Sequence, residues 1–158
     1  MFSKIQINLL AFAFISIFFE LNSADAIEFK CQPTPADMEG PFYKPNAPVR
    51  SSVGKGYQLG GVVKSAKDCA EIPGAKIEFW LAAPDGNYDD EHRATILADQ
   101  SGKYLFECNV PPKYTSRPPH IHIRVTANGF QTVVTQHYPE KGSPKGDLLL
   151  VLIPSERN

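Results

Sequence analysis

Beyond residue 26, the apolar residues of the chain fall into short segments in which every second position is hydrophobic. Residues 75–81 alternate in this way, and residues 104–110 repeat the pattern. This period is typical of β-strands that bury one face. The same pattern predicts four further strands, at 57–63, 120–125, 130–138 and 148–153.

These short strands, separated by turns that contain Pro, Gly and Asn, predict an all-β fold: an antiparallel β-sandwich of about six to eight strands. Residues 32–50 are rich in Pro and poor in strand formers, so we expect an extended N-terminal arm that lies on the domain. Residues 89–100 are the one segment with room for a helical turn or two. On the strand at 104–110, the alternation assigns Cys108 and Val110 to the core face.

The first 26 residues differ in character from the rest of the chain. Lys4 precedes an apolar run from Leu9 to Phe19, and Ala24-Asp25-Ala26 follows it. A positive start, a short apolar stretch and an Ala-x-Ala site form the pattern of a secretory signal peptide. The run is shorter than the ~20 residues that span a bilayer. We therefore expect residues 1–26 to be removed and residues 27–158 to form a single domain. That domain would be exported, periplasmic or secreted, without membrane attachment.

The charge balance argues against two classes of partner. The full chain carries 16 Lys and Arg against 17 Asp and Glu, and the part beyond residue 26 is close to neutral. A dedicated binder of nucleic acid or of anionic membranes would show a basic excess. We therefore expect neither partner, and the sequence leaves the formation of homo-oligomers open.

Cysteine usage fits an exported protein. The chain has three cysteines, Cys31, Cys69 and Cys108, which allow at most one intramolecular disulfide. An oxidising compartment favours such a bridge. Composition alone leaves its pairing open.

Two histidines placed on one strand face are the strongest sign of chemistry. In the segment 120–125, Ile121 and Ile123 turn toward the core, so His120 and His122 project side by side from the opposite face. Histidine is the commonest metal ligand, and two imidazoles at this spacing can bind one ion. The same pair would also suit a plain polar face in contact with solvent, so the other available donors decide between the two.

Carboxylates and phenolates are the donors that remain. The cysteines lack the Cys-x-x-Cys spacing of a zinc site, and no Glu follows the histidine pair at the spacing of a cupin. Asp89, Asp90 or Glu107 would complete the two-His-one-carboxylate site of ferrous oxygenases. Tyr88 and Tyr114, each beside turn residues, are the phenolate alternative.

Four segments in the same order resemble the intradiol ring-cleavage dioxygenases, the catechol and protocatechuate type. The most specific is Tyr114 followed by Arg117-Pro118-Pro119-His120-Ile121-His122. The other three are Thr34-Pro35-Ala36-Asp37-Met38-Glu39-Gly40-Pro41-Phe42-Tyr43, the segment from Pro73 to Tyr88, and Thr135-Gln136-His137-Tyr138. The resemblance covers most of the chain from Thr34 to Tyr138. One such match would be weak, but four in register are specific.

The resemblance implies a mononuclear non-haem Fe(III) held by four ligands, Tyr88, Tyr114, His120 and His122. It implies that Arg117 stabilises negative charge on a bound aromatic ring and that Gln136 forms a hydrogen bond near the substrate. Tyr114 is assigned as the third catalytic residue, because the family exchanges one tyrosine ligand when the diol binds. The implied reaction uses O₂ to cleave a catechol-type diol between its hydroxyl-bearing carbons, which gives a muconate-type diacid.

The resemblance also concerns residues outside the metal site. Small exported members carry cysteines at corresponding positions, which implies a Cys31–Cys69 disulfide with Cys108 as the free thiol. Arg117 has a plainer alternative role as a surface residue paired with Asp89 or Asp90. Four further residues are expected to be pocket wall, core or non-ligand positions: Trp80, Tyr43, His92 and His137.

The chain departs from the larger members of that family. Only five residues separate Tyr114 from His120, where those enzymes have a longer insertion, and no segment has room for their helical dimerisation element. We therefore expect a more open pocket.

The competing interpretation is a non-enzymatic binding domain, because residues 60–63, 73–75 and 102–106 also resemble transthyretin-like and carboxypeptidase regulatory-like sandwiches. The joint presence of the tyrosines, histidines, Arg and Gln named above favours the enzyme.

Overall fold

A computed structural model of the chain describes residues 28–113 and 116–156. Every regular element within those residues is a β-strand. The strands are β1 (Tyr57–Ser65), β2 (Lys76–Leu81), β3 (Arg93–Leu97), β4 (Lys103–Cys108), β5 (Ile121–Thr126), β6 (Val133–His137), β7 (Lys145–Asp147) and β8 (Leu150–Leu152). Among the described residues, no helix has the length and apolar character needed to cross a membrane. The predicted signal peptide lies outside the described residues.

The strands form two sheets, and the predicted β-sandwich is confirmed. One sheet has the order β3-β2-β5-β6, with every neighbouring pair antiparallel. In the other sheet, β1 pairs with β4 antiparallel but with β7 and β8 in parallel. The parallel pairs differ from a purely antiparallel prediction. They arise because the chain returns to the start of β1, beside Gln58, and then runs along β1 in the same direction to Ser65.

Apolar side chains from both sheets fill the core between them. Phe79 of β2 stacks on Phe106 of β4 with ring centroids 4.2 Å apart, and Ile121 of β5 is fully buried. The assignment of Val110 to the core face is wrong, since this side chain is 53% exposed. The alternation fails there because β4 ends at Cys108.

Residues 89–100, the segment with room for a helical turn, contain β3 instead. Ala94 of β3 lies opposite Phe79 of β2, and Thr95 is β-branched, which favours an extended backbone. On its other side, the amide of Thr95 donates to the carbonyl of Pro48 in the arm (2.8 Å). Pairing on both sides of β3 decides the conformation of a segment with weak local preferences.

The predicted extended arm is present and crosses the outer face of the β3-β2-β5-β6 sheet. At the β6 edge, the amide of Asp37 donates to the carbonyl of Val134 (2.9 Å). Near the β3 edge, the guanidinium of Arg93 donates to the carbonyl of Phe42 (2.6 Å). The arm therefore spans the sheet from one edge strand to the other.

The Cys31–Cys69 disulfide is present, with 5.4 Å between the two Cα atoms. It joins the start of the arm to the turn between β1 and β2. Cys108 is the free thiol and is buried. Burial raises the pKa of the Cys108 thiol to about 12, so this side chain stays protonated at neutral pH and acts as a small core residue.

Gly61 and Gly60 give a matched test of how closely β1 packs against the segment that leads into β8. A Cβ at Gly61 would overlap the backbone carbonyl of Leu148, whereas a Cβ at Gly60 would meet Leu105 Cδ1 at 3.6 Å, an ordinary contact. We expect Gly61→Ala to lower the free energy of unfolding by roughly 3 kcal/mol and Gly60→Ala by less than about 1 kcal/mol. Urea unfolding measures both values, and equal losses would contradict the close packing.

Candidate metal centre

The register of the β3-β2-β5-β6 sheet brings three side chains into one row on its outer face. Trp80 on β2 lies opposite His122 on β5, and His122 lies opposite Gln136 on β6. His122 points outward because Ile121 and Ile123, on either side of it, are fully buried in the core. The arm covers the row, so His122 and Gln136 are only 2% and 7% exposed. The predicted polar face is therefore an internal one.

The hydrogen bonds of His120, which directly precedes β5, define its tautomer. Its Nδ1 lies 2.8 Å from the carbonyl oxygen of Pro118. Because a carbonyl oxygen can only accept, Nδ1 carries the proton and Nε2 keeps its lone pair. The hydroxyl of Tyr88 lies 3.1 Å from this Nε2 and donates to it. Tyr88 comes from the loop between β2 and β3, and its ring stacks on Phe42 of the arm (4.3 Å between centroids).

Packing on three sides holds the His122 ring. It stacks on Trp80, with centroids 5.0 Å and planes 6° apart, and it meets His120 edge-on at 4.8 Å. From the arm, Gly40 approaches so closely that a Cβ there would lie 3.3 Å from His122 Cε1. The φ of Gly40, +71°, also favours glycine. These contacts restrict the orientation of the His122 ring.

Both imidazoles are neutral at neutral pH. Burial is the largest cause that lowers the pKa of His122, and together with the neighbouring His120 and Arg117 it brings this pKa to about 4. Burial also lowers the pKa of His120, against the raising effect of its hydrogen bond to Pro118. Neutral imidazole is the form that binds a metal ion.

The structure places Arg117 beside Gln136, so the surface role considered for Arg117 is wrong. Its Nη2 donates to Gln136 Oε1 (2.8 Å) and to the hydroxyl of Tyr138 (3.1 Å). Asp89 and Asp90 make their hydrogen bonds with their own loop and with the arm instead. The two residues that the sequence assigns to the substrate thus lie together at the end of the histidine row.

Carboxylates do not complete a site at the histidine pair. Glu107 lies on β4, in the other sheet, and accepts from Ser52 Oγ (3.1 Å). Asp89 accepts from the amide of His92 (2.8 Å). Within residues 28–113 and 116–156, no group of three or more His, Cys, Asp and Glu could hold a metal ion. Phenolate oxygen is the other donor type that the sequence analysis considers beside His120 and His122.

The two remaining histidines have other contacts. His92 Nδ1 contacts Asp89 (2.8 Å), and His137 Nε2 contacts the hydroxyl of Tyr57 (2.7 Å). Tyr114, the second predicted tyrosine ligand, lies outside the described residues. Its assignment stays a prediction.

Two residues that touch this site have no role in the sequence interpretation. Tyr138 contacts Arg117, and the carboxylate of Asp37 accepts from the hydroxyl of Tyr138 (2.8 Å). The alternation along β6 could have placed Tyr138 beside Gln136, because residues two apart on a strand point to the same face. Asp37 lies within the arm segment that resembles the family, but that resemblance gives it no role.

Trp80 and Tyr43, which the sequence analysis expects to be pocket wall or core, pack against the site on its β2 side. Trp80 is buried and carries the His122 ring. Tyr43 packs on Trp80 with centroids 5.2 Å apart, and its hydroxyl donates to the buried carboxylate of Glu78 (3.3 Å). Both aromatic rings therefore brace the histidine row from the β2 side.

The donor set fits a non-haem iron ion. Two neutral imidazoles suit iron among other transition metals, and a phenol binds well only to a cation strong enough to displace its proton. Here the phenol proton of Tyr88 already points at His120 Nε2. A cation that took this proton's place would gain both the phenolate oxygen and the imidazole lone pair.

Curated proteins similar to the chain are intradiol dioxygenases. A chlorocatechol 1,2-dioxygenase of Pseudomonas sp. (strain P51) is 30% identical over 154 residues, which cover 73% of the chain and 61% of that protein. The intradiol ring-cleavage dioxygenase prcA of Aspergillus niger is 28% identical, over 68% of the chain and 45% of that protein. The chain thus spans about half the length of these relatives. No protein-family model matches the chain.

Solved structures give the same result. The dioxygenase domain of a dioxygenase carbohydrate-binding protein fusion from Streptomyces sp. SirexAA-E is 27% identical, with a TM-score of 0.71, and 78% of the chain covers all of that domain. An intradiol ring-cleavage dioxygenase from Tetranychus urticae shares the fold, with a TM-score of 0.72, 20% identity and coverage of 81% of the chain and 98% of that protein.

The fold and the covered histidine row define an all-β sandwich with a candidate metal site under its N-terminal arm. The chain is homologous to the intradiol ring-cleavage dioxygenases, and the resemblance found in the sequence is confirmed.

The buried histidines predict an acid-sensitive metal-free protein. Their pKa values in the folded state lie below the ~6.5 of a free imidazole, so the unfolded chain binds more protons at acid pH. We expect full stability above about pH 6.5 and a progressive loss as the pH falls toward the value of about 4 for His122. Urea unfolding at a series of pH values measures this loss. His122→Gln should reduce the loss and His92→Gln should retain it. The same pH dependence in both variants would contradict the prediction.

Proposed function

We propose that the protein is an Fe(III)-dependent intradiol dioxygenase that cleaves catechol-type aromatic diols with O₂. The observation that carries the proposal is the Tyr88 hydroxyl against His120 Nε2, with the neutral His122 ring beside it. The reactions named for its homologues, chlorocatechol 1,2-dioxygenase among them, support the same class of activity.

The proposed ligands are His120, His122, Tyr88 and, by family resemblance, Tyr114. A tyrosine loses its proton with a pKa of about 10, so Tyr88 would bind as phenolate only when a cation replaces that proton. Bound Fe(III) would act as a Lewis acid that lets the diol bind without its protons and makes its ring reactive toward O₂. The remaining contributions come from the residues that hold and orient the substrate.

Arg117 and Gln136 would bind the aromatic diol. Arg117 lies close enough to His120 to lower its pKa, as burial also does, so its fixed charge acts on the same small space. A cation there favours a deprotonated diol and the negative charge that develops on its ring. The amide of Gln136 is held in place by Arg117 and by the carbonyl of Met38, and it would orient the ring. Cleavage between the hydroxyl-bearing carbons would give a muconate-type diacid.

A non-enzymatic sandwich of the transthyretin-like or carboxypeptidase regulatory-like kind is the competing proposal. Burying polar groups without full hydrogen bonding costs free energy. Here the imidazole of His122 is only 2% exposed and is packed against Trp80 and His120. A domain that only binds a partner through its surface gains nothing from this cost, whereas a metal site needs the neutral imidazole. Burial of the histidine row under the arm therefore favours the dioxygenase over a non-enzymatic binding domain.

We also propose that the protein is exported after removal of residues 1–26. The Cys31–Cys69 disulfide supports export, because such bonds persist in oxidising compartments. We expect protein expressed in a bacterium to be recovered outside the cytoplasm with Ile27 at its N-terminus, as determined by N-terminal sequencing and intact mass. Cytoplasmic protein that retains Met1 would contradict this proposal.

The iron ligands can be tested by colour and by O₂ consumption. Phenolate bound to Fe(III) gives a broad visible absorption band, so iron-loaded protein should be coloured and should consume O₂ with catechol. Tyr88→Phe should weaken or shift the band, because it removes one phenolate donor. His120→Ala should lose most of the bound iron, because it removes one of the two proposed imidazole ligands.

His92→Ala is the matched control, since His92 binds Asp89 outside the histidine pair. This variant should retain both the iron content and the visible band. Resorcinol, whose hydroxyl groups are not on adjacent carbons, should not be consumed. Wild-type protein that stays colourless after iron loading and consumes no O₂ with any catechol would refute the proposed function.

A further inference from the structure

We propose that Asp37 of the N-terminal arm, acting through the hydroxyl of Tyr138, is a positioning residue for Arg117 and Gln136. This inference rests on the proposed function, because it concerns how the substrate-binding pair is held. The contacts involved join residues 101 positions apart, from the arm to the residue that follows β6.

Hydrogen-bond directions at Tyr138 support a relay to Asp37. The hydroxyl has one proton and two candidate acceptors, Asp37 Oδ2 at 2.8 Å and Gln136 Oε1 at 3.1 Å. The carboxylate is closer and carries charge, so it forms the stronger bond. Tyr138 therefore donates to Asp37, and its oxygen accepts from Arg117 Nη2 at 3.1 Å. The order of donation is Arg117 to Tyr138 to Asp37.

The amide of Gln136 is fixed at both of its ends. Its Oε1 accepts from Arg117 Nη2 (2.8 Å), and its Nε2 donates to the carbonyl oxygen of Met38. A flipped amide would place its NH₂ group against the guanidinium and its oxygen against a carbonyl. The arm residues Asp37 and Met38 thus set the orientation of both substrate-binding side chains.

Asp37 is itself held rigidly where it performs this role. Its Oδ1 accepts from the amide of Met38 (2.6 Å), and its own amide donates to Val134 O on β6 (2.9 Å). One carboxylate oxygen therefore caps the arm while the other faces Tyr138. The ring of Tyr138 lies 6.2 Å from that of His120 between centroids, so the relay ends beside the proposed metal site.

Loss of the carboxylate charge changes which acceptor Tyr138 prefers. With a neutral residue at position 37, the hydroxyl proton of Tyr138 is free to turn to Gln136 Oε1, where Arg117 already donates. The two donors then compete for one oxygen, and the guanidinium loses its fixed position. The carboxylate of Asp37 forms no hydrogen bond with His120 or His122 among the described residues, and its charge acts on the two imidazoles only through space.

Glu39 provides a matched control on the same arm. Its carboxylate binds Arg124 Nη1 (2.8 Å) and anchors the arm to β5. It makes no contact with Arg117, Gln136 or Tyr138 among the described residues. Glu39→Gln therefore removes a carboxylate that holds the arm without touching the relay.

The experiment compares Asp37→Asn, Tyr138→Phe and Glu39→Gln in iron-loaded, full-length mature protein. We expect the first two variants to lower kcat/KM for catechol by about 10- to 100-fold, mainly in kcat, because the substrate-binding groups are misplaced. Their resting visible band and iron content should match the wild type. Glu39→Gln should stay within about twofold of the wild type.

A second readout needs neither iron nor activity. In ¹⁵N-labelled metal-free protein, the side-chain signals of Arg117 and Gln136, assigned with Arg117→Lys and Gln136→Glu, should shift or broaden in Asp37→Asn. They should remain unchanged in Glu39→Gln. Tyr138→Phe keeps the aromatic ring and tests the relay even where Asp37→Asn does not fold.

The outcomes separate this inference from the proposed function. Active wild-type protein with Asp37→Asn and Tyr138→Phe indistinguishable from Glu39→Gln in both readouts would overturn the positioning role alone. Loss of the resting visible band in Asp37→Asn would also overturn it, because the damage would then lie at the metal ligands. Wild-type protein without O₂ consumption would refute the proposed function, and this inference with it.

Discussion

The contact between the N-terminal arm and the outer face of the β3-β2-β5-β6 sheet is the interaction on which the site depends. Without the arm, His122, Gln136 and Trp80 would form an ordinary polar and aromatic strip facing solvent. Under the arm, the two histidines are buried and neutral, and Tyr88 stacks on an aromatic ring of the arm itself. Packing between the arm and the sheet thus lowers both pKa values and further favours the neutral, metal-binding form of the imidazoles.

Such an arm has little secondary structure of its own, so its position must come from contacts with the rest of the protein. Backbone hydrogen bonds hold it at both edge strands of the sheet, and the Cys31–Cys69 disulfide ties down its start. Gly40 lets the backbone pass close to His122 without a side chain in the way. Ordering this segment costs conformational entropy, and the edge contacts together with the buried rings beneath it offset that cost.

The strands with clear alternation were predictable, because burial of one face imposes a period of two on the sequence. The prediction failed where that period is absent or ends. At Arg93–Leu97 the sequence shows no alternation and only room for a helical turn, since the strand there depends on pairing with β2 and with the arm, which are distant in sequence. The short strand Lys145–Asp147 was missed, because three residues that are largely exposed carry no alternation. The predicted core position of Val110 is wrong for the opposite reason. There the apolar alternation continues in the sequence, although β4 has already ended at Cys108.

The sequence by itself determined the sandwich, the side-by-side projection of His120 and His122, and the homology to the intradiol dioxygenases. These features follow from strand periodicity and from local motifs, both of which involve residues that are close together in the sequence. Only the tertiary structure decided that the histidine face is internal and neutral, and that Arg117 joins Gln136 and Tyr138 rather than a surface carboxylate. It also decided that Asp37 reaches this cluster. These features depend on the path of an irregular arm across a sheet formed 40 to 100 residues later, and no local period along the chain encodes such a path.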